Sequence, residues 1–420
     1  MTAMLRLLAA AGVLLTVVVP PVAAQNLQLE RAVLLSRHGV RSPTQSNAEL
    51  DRQVTTPFPV WKVAPGDLTP RGYELMKYMG SFYRVVYSGL GLISPDRCPP
   101  SGMVAAWADV DQRTRETAQA LLEGLYPQCK IIAQYQSDLS RPDPLFSPVK
   151  AGVCPIDEAQ ARNAILKRVG GSIQTQLDMY APQYSRVQEV LCPGAAADTR
   201  CGLREQQTRI VIKDGRVGID GPVRTASTMT EIFLLEAAQG LPASQVAWGR
   251  LHDFAELRDL MFLHKVEFDL TQRTHYIAQR SGSAMMAAIL DGLQRTDDRR
   301  LTMFVGHDTN IANIAGLLDI HWVIPGFTPD DPSPGGALAF ELLRNTADGA
   351  RYVRLVYYAQ TLDQMRAQTQ FSFADLAARA EISLPGCEGS GPANACPMSR
   401  FLEIASATID RACAPSGKPR

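Results

Sequence analysis

The octapeptide RHGVRSPT, residues 37–44, places a histidine between two arginines directly after an apolar run. Each guanidinium can offer paired donors to the oxygens of a phosphate dianion. The charges of Arg37 and Arg41 are expected to lower the pKa of His38, which leaves a ring nitrogen free to attack phosphorus. We expect Gly39 to let the backbone approach the ligand closely. A basic surface loop is the alternative for the bare Arg-His-Gly triplet, but the whole octapeptide after a strand favours a phosphate site.

A second group, GHDTN at residues 306–310, lies between an apolar run and the helical pattern of residues 311–318. Backbone N–H groups at a helix start favour an anion, and His307 could add a charged donor. Asp308 would then be placed to give a proton to the leaving oxygen, since a carboxyl group beside a phosphate anion has a raised pKa. The alternative is that Asp308 only caps a helix. Capping does not explain the neighbouring histidine.

A third polar segment, DVDQRTR at residues 109–115, also lies between a strand pattern and a helical pattern. One of its arginines could complete a phosphate pocket. Helical spacing places Arg115 nearer the core-facing side, but this argument does not apply to Arg113 if it precedes the first full turn. The residues alone leave Arg113 and Arg115 equally favoured.

Strand and helix patterns alternate before about residue 155 and again after residue 300, which predicts an α/β sheet. Strands are predicted at residues 29–36, 103–108, 131–135, 301–305, 338–343 and 353–358. A helical stripe at residues 71–86 stops near Gly89, and another follows residue 118. Ligands of such sheets bind at the carboxyl ends of the strands, where the polar segments lie.

The pattern between residues 156 and 295 is mostly helical, which predicts a helical insertion in the sheet domain. Helices are predicted at residues 228–238, 257–268 and 284–293. Residues 209–219 are the exception, because Asp214-Gly215 between two apolar stretches indicates a β-hairpin. The predicted organisation is a first α/β part at 25–155, the insertion at 156–295, and a second α/β part at 296–420.

Composition indicates an ordinary globular protein with local anion binding. Lys plus Arg number 42 and Asp plus Glu number 42, so the 420-residue chain has no net charge to hold nucleic acid or an anionic membrane. Residues 1–24, with Arg6, an apolar run and the ending Val22-Ala23-Ala24, read as a signal peptide cut before Gln25. We expect the mature chain to be soluble and periplasmic or secreted.

The eight cysteines all follow this signal, and export places them where disulfides persist. Cys192 with Cys201 and Cys387 with Cys396 are close pairs in the sequence. Spacing alone does not fix the connectivity. A metal site is disfavoured because there is no Cys-x-x-Cys pair and no histidine beside a cysteine.

These segments together resemble the histidine acid phosphatases. Residues 37–44 are similar to that family's RHGxRxPT signature, and His307-Asp308 to its HD motif. The resemblance extends from about Leu29 to Cys413 and is greatest to the bacterial periplasmic phytase branch, with similar stretches at 108–117, 142–154, 230–239 and 306–313. It implies a mixed central sheet flanked by helices, with the inserted helical domain.

The resemblance also implies a role for each matching residue. His38 would be the nucleophile that forms a phosphohistidine, and Asp308 would protonate the departing alcohol. The transferred phosphate would be bound by Arg37, Arg41, Arg113 and His307. Thr44, Glu231, Arg273 and Thr309 would contact the substrate. No metal or organic cofactor is implied.

The disulfide pairs implied by the resemblance are Cys98–Cys129, Cys154–Cys413, Cys192–Cys201 and Cys387–Cys396. Two positions depart from the phytase branch, which carries Lys at the position of Gln45 and Met at that of Thr228. Losing a cation weakens contacts to a polyanion, so the motifs support a phosphomonoesterase more strongly than phytate as its substrate.

The leading hypothesis is a monomeric acid phosphatase that cleaves phytate (inositol hexakisphosphate). A glucose-1-phosphatase or a broad-specificity phosphatase on the same scaffold is the nearest alternative. A noncatalytic phosphate-binding protein is remote because His38 and Asp308 are both present. The expected partner is a small phosphate ester, with no nucleic acid and no membrane insertion of the mature form.

Overall fold

The structure, a computed structural model, describes residues 26–194, 202–203 and 205–414. The predicted signal peptide therefore lies outside the described residues. The strands are β1 (Leu27–Arg37), β2 (Val104–Ala108), β3 (Gln134–Tyr135), β4 (Arg209–Lys213), β5 (Arg216–Asp220), β6 (Leu301–Gly306), β7 (Ala337–Asn345), β8 (Arg351–Ala359), β9 (Ala378–Ile382) and β10 (Cys396–Pro397). The helices are α1 (Asn47–Leu50), α2 (Pro70–Gly89), α3 (Gln112–Leu125), α4 (Glu158–Arg168), α5 (Ile173–Asp178), α6 (Ala181–Leu191), α7 (Pro222–Ala238), α8 (Phe254–Thr271), α9 (His275–Gln294), α10 (Asp308–Leu318), α11 (Leu362–Ala367) and α12 (Met398–Thr408).

The central sheet is mixed, as expected from the resemblance. Its eight strands follow the order β10-β8-β7-β1-β6-β2-β3, with β9 paired to β8. Strand β1 runs parallel to β6 and antiparallel to β7, and β6 runs parallel to β2. Because β1, β6 and β2 are parallel neighbours, their carboxyl ends meet at one edge of the sheet.

Helices cover both faces of β1, which explains why its sequence is a continuous apolar run. Ala32 and Leu34 pack with α2 and α3, while Val33 and Leu35 pack with α9 and α10 on the other face. All four side chains are fully buried. The strand therefore forms a rigid base for the loop that follows it.

Most of the predicted elements are confirmed, with longer ends than the patterns gave. The exceptions lie at the sheet periphery. The strand predicted at residues 131–135 is reduced to Gln134–Tyr135, which pair with only two residues of β2, and Ile132 is 76% exposed. Strand β9 was not predicted, because Arg379 and Glu381 alternate with alanines and leave little apolar signal.

Residues 156–295 contain helices α4 to α9 and the β4–β5 hairpin, consistent with the predicted helical composition. Asp214 and Gly215 both have positive φ, as the Asp-Gly signal predicts for a two-residue turn. The hydrophobic cluster that contains α7, α8 and α9 also includes α10 and strand residues of the sheet. The division into domains stays a prediction.

Three of the implied disulfides are confirmed: Cys98–Cys129, Cys154–Cys413 and Cys387–Cys396. The implied pair Cys192–Cys201 includes Cys201, which lies outside the described residues. Among the helices of the described segments, none has the length and apolarity that crossing a membrane requires.

The Cys154–Cys413 disulfide is expected to stabilise the fold most, because it joins residues 259 apart whereas Cys387–Cys396 joins residues 9 apart. In the chain-entropy account a longer closed loop restricts the unfolded state more, and removing a disulfide costs about 2–5 kcal/mol. Double Cys→Ser variants of each pair, compared by thermal unfolding, test this. An equal or larger loss of Tm for the Cys387–Cys396 variant would contradict the expectation.

Candidate active site

The first two polar segments of the sequence meet at the carboxyl edge of β1 and β6. Arg37, the last residue of β1, is in register with Gly306, the last residue of β6. The N–H of His38 donates to the carbonyl of Gly306 at 2.9 Å. The sheet register therefore brings His38 and His307 side by side, with ring centroids 5.6 Å apart.

The environment of His38 leaves Nε2 as its unprotonated ring nitrogen. Nδ1 lies 2.9 Å from the carbonyl oxygen of Gly39, which can only accept, so Nδ1 carries the proton in the neutral ring. Burial lowers the pKa of His38 well below its usual value, and the charges of Arg113, Arg37 and Arg41 lower it further. The predicted direction is confirmed, although burial is a larger cause than the arginines that motivated the prediction.

Packing gives a reason for Gly39 that the sequence did not suggest, and the expected approach of its backbone to a ligand stays a prediction. A Cβ atom at this position would lie 2.7 Å from Cγ of Met76 and 3.1 Å from the carbonyl of Gly72, both on α2. The glycine is needed because the loop packs tightly on that helix. Its N–H donates to Oγ1 of Thr117 at 3.0 Å, which fixes the loop to α3 as well.

Arg37 and Arg41 share the carboxylate of Glu231, which lies on α7. Nη2 of Arg37 is 2.5 Å from Oε1 of Glu231, and Nη2 of Arg41 is 3.1 Å from the same oxygen. Nη1 of Arg37 donates to the carbonyl of Pro332 at 2.7 Å. Burial raises the pKa of Glu231, but Arg41 and Arg37 outweigh it and lower the pKa overall.

Asp308 begins α10 directly beside Arg37. Its Oδ2 lies 3.0 Å from Nη2 of Arg37, and its Oδ1 accepts from the N–H of Thr309 at 2.7 Å. Burial raises the pKa of Asp308, but the surrounding cations, Arg37 first, more than offset this and lower it to about 2. In the protein's own field Asp308 is therefore a carboxylate.

His307 is oriented by Asp109, which follows β2 at the same sheet edge. Nε2 of His307 lies 2.8 Å from Oδ2 of Asp109, so Nδ1 is the ring nitrogen that faces Arg113. No role was expected for Asp109, because the pairing of β2 with β6 brings it here from a distant segment. His307 also caps α10, where its N–H donates to Oδ1 of Asn310 at 2.9 Å.

The structure distinguishes the two arginines that sequence spacing left equal. Nη2 of Arg113 lies 3.4 Å from Nδ1 of His307 and 2.7 Å from Oδ2 of Asp111, so Arg113 joins the cluster. Arg115 instead bonds the carbonyl of Val110 and stacks over the ring of Tyr135.

Asp109, Asp111 and His307 are also the described residues that could hold a metal ion, with one ligand atom from each within 4.8 Å of the others. Their atoms already bond one another and Arg113. That no metal is used stays a prediction.

The comparisons with known proteins agree with this geometry. The sequence model of the histidine phosphatase superfamily (branch 2) matches residues 28–358. This chain belongs to that superfamily. The phytase AppA of Escherichia coli (strain K12) is 36% identical over 409 residues, which cover 92% of this chain and 94% of the relative.

A glucose-1-phosphatase of Salmonella typhimurium is more distant from this histidine phosphatase, at 27% identity over 392 residues, or 90% of this chain and 92% of the relative. Among solved structures, Hafnia alvei phytase in complex with tartrate superposes with a TM-score of 0.88 and 38% identity, covering 93% of this chain and 99% of that one. The mixed α/β fold is therefore that of the family.

The substrate residues expected from the family lie at different depths in this histidine phosphatase. Thr44 is exposed at the rim, and a Cβ added to Gly66 would lie 3.6 Å from Thr44 and 3.5 Å from Nη1 of Arg113. Thr309 is half-buried in the first turn of α10. The expected assignments of Thr44, Thr309 and Glu231 stay predictions.

Arg273 lies apart from the arginine cluster. It is 4% exposed, and its guanidinium contacts Asp269, Asp330 and the carbonyl of Ile320. None of its described contacts joins it to Arg37, and its assignment to the substrate also stays a prediction.

Two groups beside the site were not selected from the sequence. His264 on α8 is buried, and its electrostatic effect lowers the pKa of Asp308. Asp331 lies in the loop before β7 and its charge acts on Arg37. Neither has a local motif, so only the packing of α8 and this loop against the β1–β6 edge reveals them.

Proposed function

We propose that this histidine phosphatase hydrolyses phytate stepwise to lower inositol phosphates and inorganic phosphate, through a phosphohistidine at His38. The observation that carries the proposal is the unprotonated Nε2 of His38, whose ring is oriented by the bond from Nδ1 to the Gly39 carbonyl and lies beside three arginines. A nucleophile that is neutral and flanked by fixed cations suits attack on a phosphate dianion.

In the proposed first step the phosphate group lies among Arg37, Arg41, Arg113 and His307. Nε2 of His38 attacks phosphorus, the N–P bond forms, and the bond from phosphorus to the inositol oxygen breaks. Asp308 gives its proton to that oxygen, so the departing group leaves as a neutral alcohol. In the second step water attacks phosphorus, its proton passes to Asp308, and His38 is released with inorganic phosphate.

The low pKa of Asp308 fits this cycle because the substrate changes the charge around it. Arg37 and Arg41 keep Asp308 ionised in the protein's own field. A phosphate dianion among the same guanidinium groups offsets their charge and is itself a like charge beside Asp308, which favours the protonated form. The raised pKa expected from the sequence thus comes with the substrate, and Asp308 is protonated when a leaving group needs it.

Glu231, in this proposal, holds Arg37 and Arg41 in place rather than the substrate, since its carboxylate bonds both guanidinium groups. Thr44 and Thr309 lie where they can contact the phosphorylated ring. Arg273 supports the wall of the pocket through its ion pairs. No step requires a metal or an organic cofactor.

Phytate is favoured over a sugar phosphate because relatives named phytases are more similar to this chain than the relatives named glucose-1-phosphatases. Gln45 and Thr228 remain the departures from the phytase pattern. A glucose-1-phosphatase is the second candidate.

We also propose that the enzyme acts as a monomer in the periplasm or outside the cell, after cleavage near Ala24. The disulfides of the described residues support an oxidising compartment.

Replacing His38 by Ala is expected to lower kcat by at least about a thousandfold, because the nucleophile is lost. Base quenching during turnover of a phosphate-labelled substrate is expected to leave label on the wild type and none on H38A. The matched control is H275A, which removes an exposed histidine at the start of α9. Substantial turnover by a folded H38A variant would refute the nucleophile.

Replacing Asp308 by Asn is expected to slow the hydrolysis of alkyl phosphates much more than that of aryl phosphates, because an aryl leaving group departs without a proton. The comparison is kcat for glycerol phosphate and for p-nitrophenyl phosphate, wild type against D308N. Equal losses on the two esters would argue against the acid role.

Initial rates on phytate and on glucose 1-phosphate test the substrate proposal. We expect kcat/KM for phytate to be at least about tenfold higher, a difference of roughly 1.4 kcal/mol in transition-state binding. The variant Q45K, which restores the cation of the phytase branch, is expected to raise kcat/KM on phytate without raising it on the sugar ester. A preference for glucose 1-phosphate would make the second candidate the correct one.

A further inference from the structure

Asp331 is a buried carboxyl group without a hydrogen-bond partner. Its side chain is 4% exposed, and within the described residues neither Oδ1 nor Oδ2 is bonded. Its backbone is nevertheless fixed, because its carbonyl accepts from Nε1 of Trp322 at 3.1 Å and from the N–H of Ser333 at 2.9 Å. Buried carboxylates are normally bonded, so an unpaired one in a rigid loop calls for an explanation.

The loop that carries Asp331 holds Arg37 from a side that the other acids leave open. Pro332, the next residue, accepts from Nη1 of Arg37 at 2.7 Å, while Glu231 and Asp308 both contact Nη2. The charge of Asp331 acts on Arg37, and Arg37 acts on Asp331 in return. An ionised Asp331 would therefore be a third negative charge, after Glu231 and Asp308, that acts on the guanidinium of Arg37.

A small cavity is lined by Asp331, by Pro332 and by two other residues that have unpaired polar atoms. These two residues are His264 and Arg273. Nε2 of His264 and Nη1 of Arg273 have no hydrogen-bond partner among the described residues. Nδ1 of His264 bonds Oγ of Ser227 at 2.9 Å, so Nε2 is the nitrogen left for the cavity.

Charged and titratable groups face Asp331 from several elements. The strongest influences on its carboxyl group are Arg37 on β1, Glu231 on α7 and Asp308 on α10. Helix α8 contributes His264, Lys265 and Asp269 to the cavity. Arg273 follows the end of that helix, and Asp330 precedes Asp331 in the loop. Two further groups are near Asp331. Tyr357 on β8 interacts with it electrostatically, and Arg258 lines a second small cavity together with it.

We propose that Asp331 is a positioning residue that acts through Arg37: neutral Asp331 leaves the guanidinium charge available to phosphate, and ionised Asp331 competes for it. The proposal rests on the proposed phosphate site. In this proposal the affinity for a dianion falls as Asp331 loses its proton. Tight phosphate binding is therefore limited to acidic and neutral pH.

The direction of this effect follows from the surroundings of the carboxyl group. Burial raises the pKa of Asp331 to about 7, against the lowering effect of Arg37, and Glu231 and Asp308 raise it further. Asp331 is therefore neutral in mild acid and ionised in mild base. A bound dianion is one more negative charge nearby, so ligand binding and proton binding at Asp331 favour each other.

The test uses sulfate, whose charge stays constant over the relevant range, as a competitive inhibitor of p-nitrophenyl phosphate hydrolysis. Inhibition constants are measured for the wild type and for Asp331→Asn at about pH 5 and about pH 8. We expect similar constants for the two proteins in acid. In base, sulfate is expected to bind D331N about three- to tenfold more tightly than it binds the wild type.

Glu236→Gln is the matched control. Glu236 lies on the same helix as Glu231, is 1% exposed, and has a pKa raised by burial to about 8. Its carboxylate accepts from the N–H of Ala247, away from the arginines, so the sulfate constants of E236Q are expected to follow those of the wild type.

Thermal unfolding gives a second readout, which reports whether Asp331 itself loses its proton over this pH range. Because the pKa of Asp331 is raised in the folded state, its contribution to stability is present in acid and is lost as the pH rises through about 7. The Tm of D331N minus that of the wild type is therefore expected to increase from about pH 5 to about pH 8.

Parallel sulfate profiles for the wild type and D331N would overturn this proposal alone and leave the phosphate site in place. A Tm difference between D331N and the wild type that does not rise from about pH 5 to about pH 8 would also overturn it. If sulfate fails to compete in the wild type at either pH, the proposed phosphate site is wrong and this proposal falls with it.

Discussion

The concentration of positive charge at the end of β1 is the constraint on which the rest of the structure depends. Arg37 is fully buried and Arg41 nearly so, and charged groups away from water are costly unless they are paired. Glu231 and Asp308 supply two of the partners, and the carbonyl of Pro332 supplies a neutral third. The protein therefore brings together α7, α10 and the loop before β7 around one guanidinium. In the proposed function, Arg41, Arg113 and His307 bind the phosphate beside this guanidinium.

The sequence alone was sufficient for the parts of the site that are local. The octapeptide of residues 37–44 and the residues His307 and Asp308 carry their chemistry within a few positions, and each follows a recognisable strand. Most strands of the sheet also followed from apolar runs that both faces of the sheet bury, whereas its mixed character was expected only from the family resemblance. Short or charged strands at the sheet periphery could not be predicted in this way, because a strand of two residues such as β3 has almost no pattern to detect.

The remaining parts of the site depend on contacts between distant segments. Asp109 orients His307 because β2 pairs with β6, and no spacing along the chain indicates that partnership. Gly39 was expected to let the backbone approach a ligand, and its close packing on α2 could be seen only in the structure. Asp331 looks like an ordinary loop acid until its burial is known. The balanced composition was likewise uninformative, because neutrality over the whole chain is compatible with a strongly positive pocket.

The position of β1 in the sheet has a consequence for how the enzyme reaches its folded state. This strand is the first of the described chain, yet both of its neighbours, β6 and β7, come from residues 301–345. Its backbone groups therefore stay unpaired until most of the polypeptide has emerged. Pairings between such distant segments pay a large loop-closure entropy and form slowly, with apolar strands open to aggregation in the meantime. The candidate active site at the end of β1 therefore cannot form before residues 301–345 are available to pair with this strand.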